Sequence, residues 1–173
     1  VFYSQYFGRN GESGYHPVYA CIATVSGTTV SFSNHFLVNN NVNSDTPFSV
    51  APDTTKKIVH VASKIATYVN FTPVQLVGTT FSKGSVQQFQ ATTDAYFTLE
   101  SGGCIAVDPV NSNIIGVARG YTVSSAPFYA TVFSYSGSLN NLTGGPAYIR
   151  SNSAVVYQAL QSGTNEVRGL TAI

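Results

Sequence analysis

The chain has 173 residues, enough for one domain or two halves sharing one core. A hydrophobic content of 43% excludes a disordered chain, and 9% charged residues with a net charge of +1 exclude a nucleic-acid partner held by phosphate neutralisation. No apolar run approaches the roughly 18–20 residues a membrane-spanning helix needs. The sequence starts at Val1 and holds no Met, so it reads as a processed product or a cut segment. Two cysteines, Cys21 and Cys104, are too few to staple a chain of this size and read as free thiols in a reducing compartment. The sequons Asn70-Phe71-Thr72 and Asn141-Leu142-Thr143 leave a secreted protein as the alternative.

In chain order, residues 1–17 are aromatic and glycine-rich and read as an extended arm on the outside of the domain. Val18–Val25 is a run of β-formers. Ser26-Gly27 marks a turn, and the alternating stretch from Thr29 to Phe32 completes a hairpin that ends at Ser33-Asn34-His35. Asn39–Ser44 is a polar loop. Phe48–Ala51 is a short strand leading into Pro52-Asp53. Lys57–Ala66 fits strand or helix, with Ile58, Val59 and Val61 favouring strand.

Pro73 opens a further set of strands: Val74–Phe81, Ser85–Ala91 after a turn at Lys83-Gly84, Ala95–Leu99, Cys104–Val107, Ile114–Ala118 and Pro127–Ser134. Short strands at even spacing predict an all-β barrel or sandwich. The one predicted helix is Asn152–Gln161, where Val155, Val156, Ala159 and Leu160 share a face and Gly163 follows the end.

The stretch Phe97–Tyr121, FTLESGGCIAVDPVNSNIIGVARGY, carries the chemistry. Glycines beside a hydroxyl let backbone N–H groups converge on one point, as an oxyanion site requires. Ser101 is the candidate nucleophile. A serine nucleophile needs a base, and the base an orienting partner. Of the three histidines, His35 at a strand end is the candidate base. His60 inside an apolar strand reads as core packing, and His16 as a surface residue. No His/Cys/Asp cluster has metal-ligand spacing, so no metal and no cofactor are expected. The Tyr and Phe residues read as core and cross-strand pairs.

The order His–Asp–Ser with Glu100-Ser101-Gly102-Gly103 resembles chymotrypsin-like proteases, and most closely the compact viral type of the arterivirus main protease and the alphavirus capsid protease. The resemblance runs from Tyr19 to about Ser134. It implies an all-β fold of two antiparallel β-barrels with the site in the cleft between them, followed by a short C-terminal helix. The corresponding divisions are 1–17 (arm), 18–72 and 73–150 (barrels) and 151–173 (helix and tail), with the crossover at Thr72-Pro73.

It implies a serine endopeptidase, a hydrolase that processes a viral polyprotein in the host cytoplasm. Ser101 matches the nucleophile, His35 the base and Asp53 the acid, with Asp45 in reserve and Asn70 third. Leu99, Glu100, Ser101 and Gly102 form the oxyanion loop, with Leu99 where the family has glycine. Ile115, Gly116, Val117, Ala118, Arg119 and Gly120 line the pocket and pair with an extended peptide substrate by strand addition. Arg119 is a candidate for selecting an acidic side chain. Two other readings stand beside this one. Gly102-Gly103-Cys104 resembles the G-x-C of viral cysteine proteases, with Cys104 as nucleophile, and a non-catalytic β-barrel of capsid or binding type needs no nucleophile at all.

Overall fold

A computed structural model of the chain describes residues 1–4, 17–40, 48–65, 68–90, 104–111, 113–119, 128–135 and 148–157. All the described elements are strands, every pairing is antiparallel, and no helix occurs among the described residues. The first sheet has the order β1 (Phe2–Ser4), β2 (Val18–Ser26), β3 (Thr29–Asn39). The second runs β4 (Ser49–Asp53), β5 (Ile58–Ile65), β6 (Tyr68–Val77), β7 (Thr80–Lys83), and β8 (Gln87–Gln90) also pairs with β6. The third runs β12 (Tyr148–Tyr157), β11 (Phe128–Tyr135), β10 (Ile114–Arg119), β9 (Cys104–Val107).

Side chains alternate across a strand, and in β5 and β6 both alternating sets are buried. Ile58, Ala62, Val69 and Phe71 pack with Ile105, Ile114, Phe133 and Tyr135 of the third sheet. Val61 and Val74 point the other way and pack with Val18, Ala20 and Val38 of the first sheet. The second sheet is thus a central layer with two cores. This explains why Lys57–Ala66 gave no clean period: a strand covered on both faces loses its alternation. Phe71 anchors one core, its ring 4.6 Å from that of Phe133 and 5.7 Å from that of Phe89.

Two hairpins use the same turn chemistry. Ser26 pairs with Thr29 across Gly27-Thr28, and Val77 pairs with Thr80 across Gly78-Thr79. Gly27 and Gly78 have φ of 58° and 59°, and nothing lies within 4 Å of a Cβ built on either. The cost of a side chain there is therefore one of backbone alone. Gly27→Ala should lower stability by about 1 kcal/mol, read as a shift in denaturation midpoint at unchanged slope.

Three sequence expectations are revised. The described part of the predicted helix, Asn152–Tyr157, belongs to β12, paired with β11 from Phe128 to Tyr135. Val155, Val156 and Tyr157 are β-formers, and a long partner strand outweighs the weak helical stripe. Residues 158–161 lie outside the described set. The turn placed at Lys83-Gly84 is preceded by the tighter one at Gly78-Thr79, which splits the expected strand Val74–Phe81 into β6 and β7. The Thr72-Pro73 step lies inside β6. Proline is tolerated in this central strand because Pro73 faces the gap between β7, which pairs from Val74, and β8, which pairs up to Phe71. In that gap the Pro73 carbonyl accepts the Gly84 amide at 2.9 Å. The expected strand Ala95–Leu99 lies outside the described residues.

Candidate functional site

The loop Leu99, Glu100, Ser101, Gly102 and Gly103 lies outside the described residues, but the hairpin that carries it does not. Cys104 opens β9 and pairs with Val117 of β10, and Val107 pairs with Ile114 at the other end. The turn between them is closed by the Asp108 amide on the Asn113 carbonyl at 2.7 Å. The Asp108 carboxylate accepts the Val110 amide at 2.8 Å and the Asn111 side chain at 2.9 Å. These bonds, that from Asn111 first, hold the Asp108 carboxyl below its ordinary pKa.

β10 is central, with β11 along its whole length and β9 against Ile114–Val117. Ile115, Gly116 and Val117 therefore have no free edge for an incoming strand. The described β9–β10 pairing ends at Cys104 and Val117, so Ala118 and Arg119 lie beyond the described part of β9; Gly120 lies outside the described residues. This is also the end at which the chain carrying Ser101 enters β9.

His35 is exposed and sits within β3 rather than at its end. It stands on a β-bulge. Ala20 pairs with Phe36 and Ile22 with Ser33, so β3 uses one more residue than β2 across that interval. Opposite the bulge, Cys21 exchanges backbone bonds with Val1 at 2.8 and 2.9 Å. Asn34 adopts a left-handed φ of 53°, which asparagine accepts more readily than most residues. A bulge of this kind re-aims one side chain. His35 borders an apolar hollow of about 340 Å³ with Val1, Phe32 and the buried free cysteine Cys21.

Asp53 lies elsewhere and has another imidazole beside it. It is 2% exposed at the end of β4. Its Oδ1 accepts the Lys56 amide at 2.9 Å, and its Oδ2 is 3.9 Å from His60 Nε2. His60 is fully buried, and its ring meets that of Tyr135 edge-on at 5.0 Å. Lys56 Nζ donates to the Tyr135 carbonyl at 2.6 Å and lies 5.4 Å from that ring's centre. Burial pushes the His60 pKa from 6.5 down to about 4, against the pull of the Asp53 charge, so His60 is neutral at pH 7. Burial also raises the Tyr135 hydroxyl.

This cluster stands at the far end of the third sheet. The Ile105 amide donates to Ser49 Oγ at 3.0 Å, next to the start of β9. Asp53 is four residues further along β4, roughly 13 Å at the rise of a strand. Tyr135 lies two residues past Phe133, which is level with Ile114 and Val107. The Asp53–His60 pair is thus at the Val107 end, and the Ser101 segment joins β9 at the Cys104 end.

Asn70 is fully buried on the opposite face of β6, and among the described residues its amide has no hydrogen-bond partner. Its neighbours in that layer form a closed set: Asn39 Nδ2 donates to Ser63 Oγ and Thr72 Oγ1 donates to Asn39 Oδ1, both at 2.8 Å. In the folded chain the Asn70 sequon is therefore out of reach of a glycosylating enzyme. Asp45, His16 and Asn141 lie outside the described residues. Among those described, no group of His, Cys, Asp or Glu has the makings of a metal site, and no helix is long and apolar enough to cross a membrane.

No family model, curated protein or solved structure matches the chain.

Two groups escaped the sequence reading. Lys83 of β7 reaches across to β3 just after His35, and the Asn34 side chain, just before it, reaches the β6–β7 turn. Asn34 carries a faint sequence signal, because asparagine is enriched at left-handed positions. Lys83 carries none, since its partners are backbone carbonyls of a distant strand.

Proposed function

We propose that the chain is a serine endopeptidase of chymotrypsin-like organisation, its two barrels built from β1–β7 and β9–β12. Ser101 Oγ attacks the peptide carbonyl, and His35 takes the Ser101 proton and passes it to the departing amine. Water then hydrolyses the acyl-enzyme with the same imidazole as base. Backbone amides of the loop Leu99–Gly102 stabilise the oxyanion. The substrate is an extended peptide, as at a polyprotein junction, pairing with the chain at Ala118–Gly120.

One observation carries this reading: the β9–β10 register. It pairs Cys104 with Val117, so the chain arriving from Ser101 enters β9 at the same end of the sheet as Ala118 and Arg119 of β10. A nucleophile loop and a substrate-pairing edge need that proximity. The exposed, bulge-mounted His35 supplies a base that solvent and substrate can reach. Asp53 is engaged with His60, so the acid of this proposal is Asp45, in the segment joining β3 to β4.

The test is a fluorophosphonate probe with gel readout and mapping of the labelled peptide. Labelling at Ser101, abolished by Ser101→Ala, strongly slowed by His35→Ala and retained by Cys104→Ala, is the expected result. A folded wild-type chain that takes no label removes the proposal. Labelling by a thiol alkylator with loss of peptidase activity transfers the nucleophile to Cys104.

A further inference from the structure

β3 departs from the ladder twice. Besides the bulge at Asn34-His35, Val18 pairs with Asn39 while Tyr19 pairs with Leu37, so β3 spends an extra residue at Val38 as well. Each bulge takes backbone groups out of regular pairing, and such groups need other partners. The β6–β7 hairpin provides them at the second bulge, where Lys83 serves two carbonyls, and adds a side-chain tie at the first. Asn34 Nδ2 donates to the Thr79 carbonyl at 2.8 Å, just before His35. Lys83 Nζ donates to the Leu37 and Val38 carbonyls at 3.1 and 2.5 Å, just after it. Between these ties, Phe36 stacks on Phe81 with ring centres 5.8 Å apart and planes at 25°. Lys83 also lies over the Phe36 ring at 6.0 Å.

We propose that the β6–β7 hairpin is a clamp that sets the direction of the His35 imidazole, with Lys83 and Asn34 as positioning residues on either side of the bulge. The proposal rests on His35 being the base of the reaction. The His35 imidazole is exposed on a bulged strand, and the direction of its Cα–Cβ bond is set by the backbone beneath. Lys83 suits the task because a cationic donor makes hydrogen bonds roughly twice as strong as a neutral one, and its ammonium serves two carbonyls at once. Burial lowers the Lys83 pKa, in keeping with an ammonium drawn out of water onto those oxygens. Asn34 matches both demands of its place, a left-handed backbone and a side-chain donor facing Thr79.

The test compares Lys83→Ala, Lys83→Arg and Asn34→Gly with the wild type. The readouts are the long-range ¹H–¹⁵N resonances of the His35 ring, melting temperature, and the rate of fluorophosphonate labelling. A displaced base costs up to about a hundredfold in rate when it moves by an ångström. Lys83→Ala is therefore expected to move the His35 resonances and to slow labelling roughly ten- to a hundredfold, and Lys83→Arg to restore both. Asn34→Gly keeps the left-handed backbone accessible and deletes only the tie to Thr79, so it tests the clamp if Lys83→Ala does not fold. Folded variants with unmoved His35 resonances overturn the clamp, even where stability falls. A wild type that never labels, together with variants that shift the His35 resonances, leaves the clamp standing and removes the protease.

Discussion

Alanine at Asp45 is expected to slow labelling of Ser101 by about two to four orders of magnitude, and alanine at Asp53 to change stability while leaving that rate near wild type. An orienting acid acts by holding the second nitrogen of the base, so its oxygens must be within hydrogen-bonding reach of that imidazole. The Asp53 carboxylate holds the Lys56 amide and stands beside His60, buried between the second and third sheets. His35 is on the first sheet, exposed, beside a hollow formed with Val1, Cys21 and Phe32. The proposal therefore gives the two carboxylates separate roles, Asp53 beside His60 and Asp45 at His35. Asp53→Ala deletes the acceptor that holds the Lys56 amide and takes a charge from beside His60, a loss of about 1–3 kcal/mol. Melting curves and single-turnover labelling of the two variants separate the roles. If Asp53→Ala loses labelling at full stability while Asp45→Ala keeps it, the assignment is reversed.

The parts of the fold that could be read from the sequence were those with local causes. Ser26-Gly27 between two β-rich runs makes a hairpin wherever the strands go. The break Asp108–Asn113 between apolar runs does the same for β9 and β10. What could not be read depended on contacts distant in sequence. The Gly78-Thr79 turn has the same Gly-Thr-Thr signal as Gly27, but it sat inside an apolar stretch that reads equally well as one long strand. The C-terminal stretch has a helical stripe in isolation and becomes a strand because β11 offers it a partner from Phe128 to Tyr135. Pro73 marked a domain boundary by its usual meaning, and only the gap between β7 and β8 shows why it fits within β6. At the site, exposure and the bulge at His35 follow from the pairing of β2 with β3, which no spacing reveals. Asp53 has the right order in sequence between a histidine and a serine, yet β5 brings His60 to it first, since Ala51 pairs with His60 across the β4–β5 hairpin.

The chain should lose stability as pH falls from about 6.5 to 4 through the buried His60. The folded state holds the His60 pKa near 4, whereas the unfolded chain titrates at 6.5. Between those values the unfolded state binds the proton and the native state does not, so the slope of unfolding free energy with pH is positive. Stability is then full above pH 6.5, declines through the window, and has no further contribution from His60 below 4. At 1.36 kcal/mol for each pKa unit, the whole shift comes to about 3 kcal/mol. Against a typical total of roughly 5–15 kcal/mol, that is a large share. The sign is set by burial: Asp53 attracts the imidazolium, but at 3.9 Å it does not offset the lost hydration, and Lys56 opposes it. His60→Gln should flatten denaturant midpoints between pH 6.5 and 4.5 relative to wild type, even if the variant is less stable at neutral pH. An unchanged slope in that variant would assign the acid loss to carboxylates. Because His60 joins β5 to Tyr135 of β11, its protonation strains the contact between the second and third sheets before either sheet by itself. Amide exchange near pH 5 should therefore rise first at the β5–β11 contact, around His60 and Tyr135, and last in the β2–β3 hairpin.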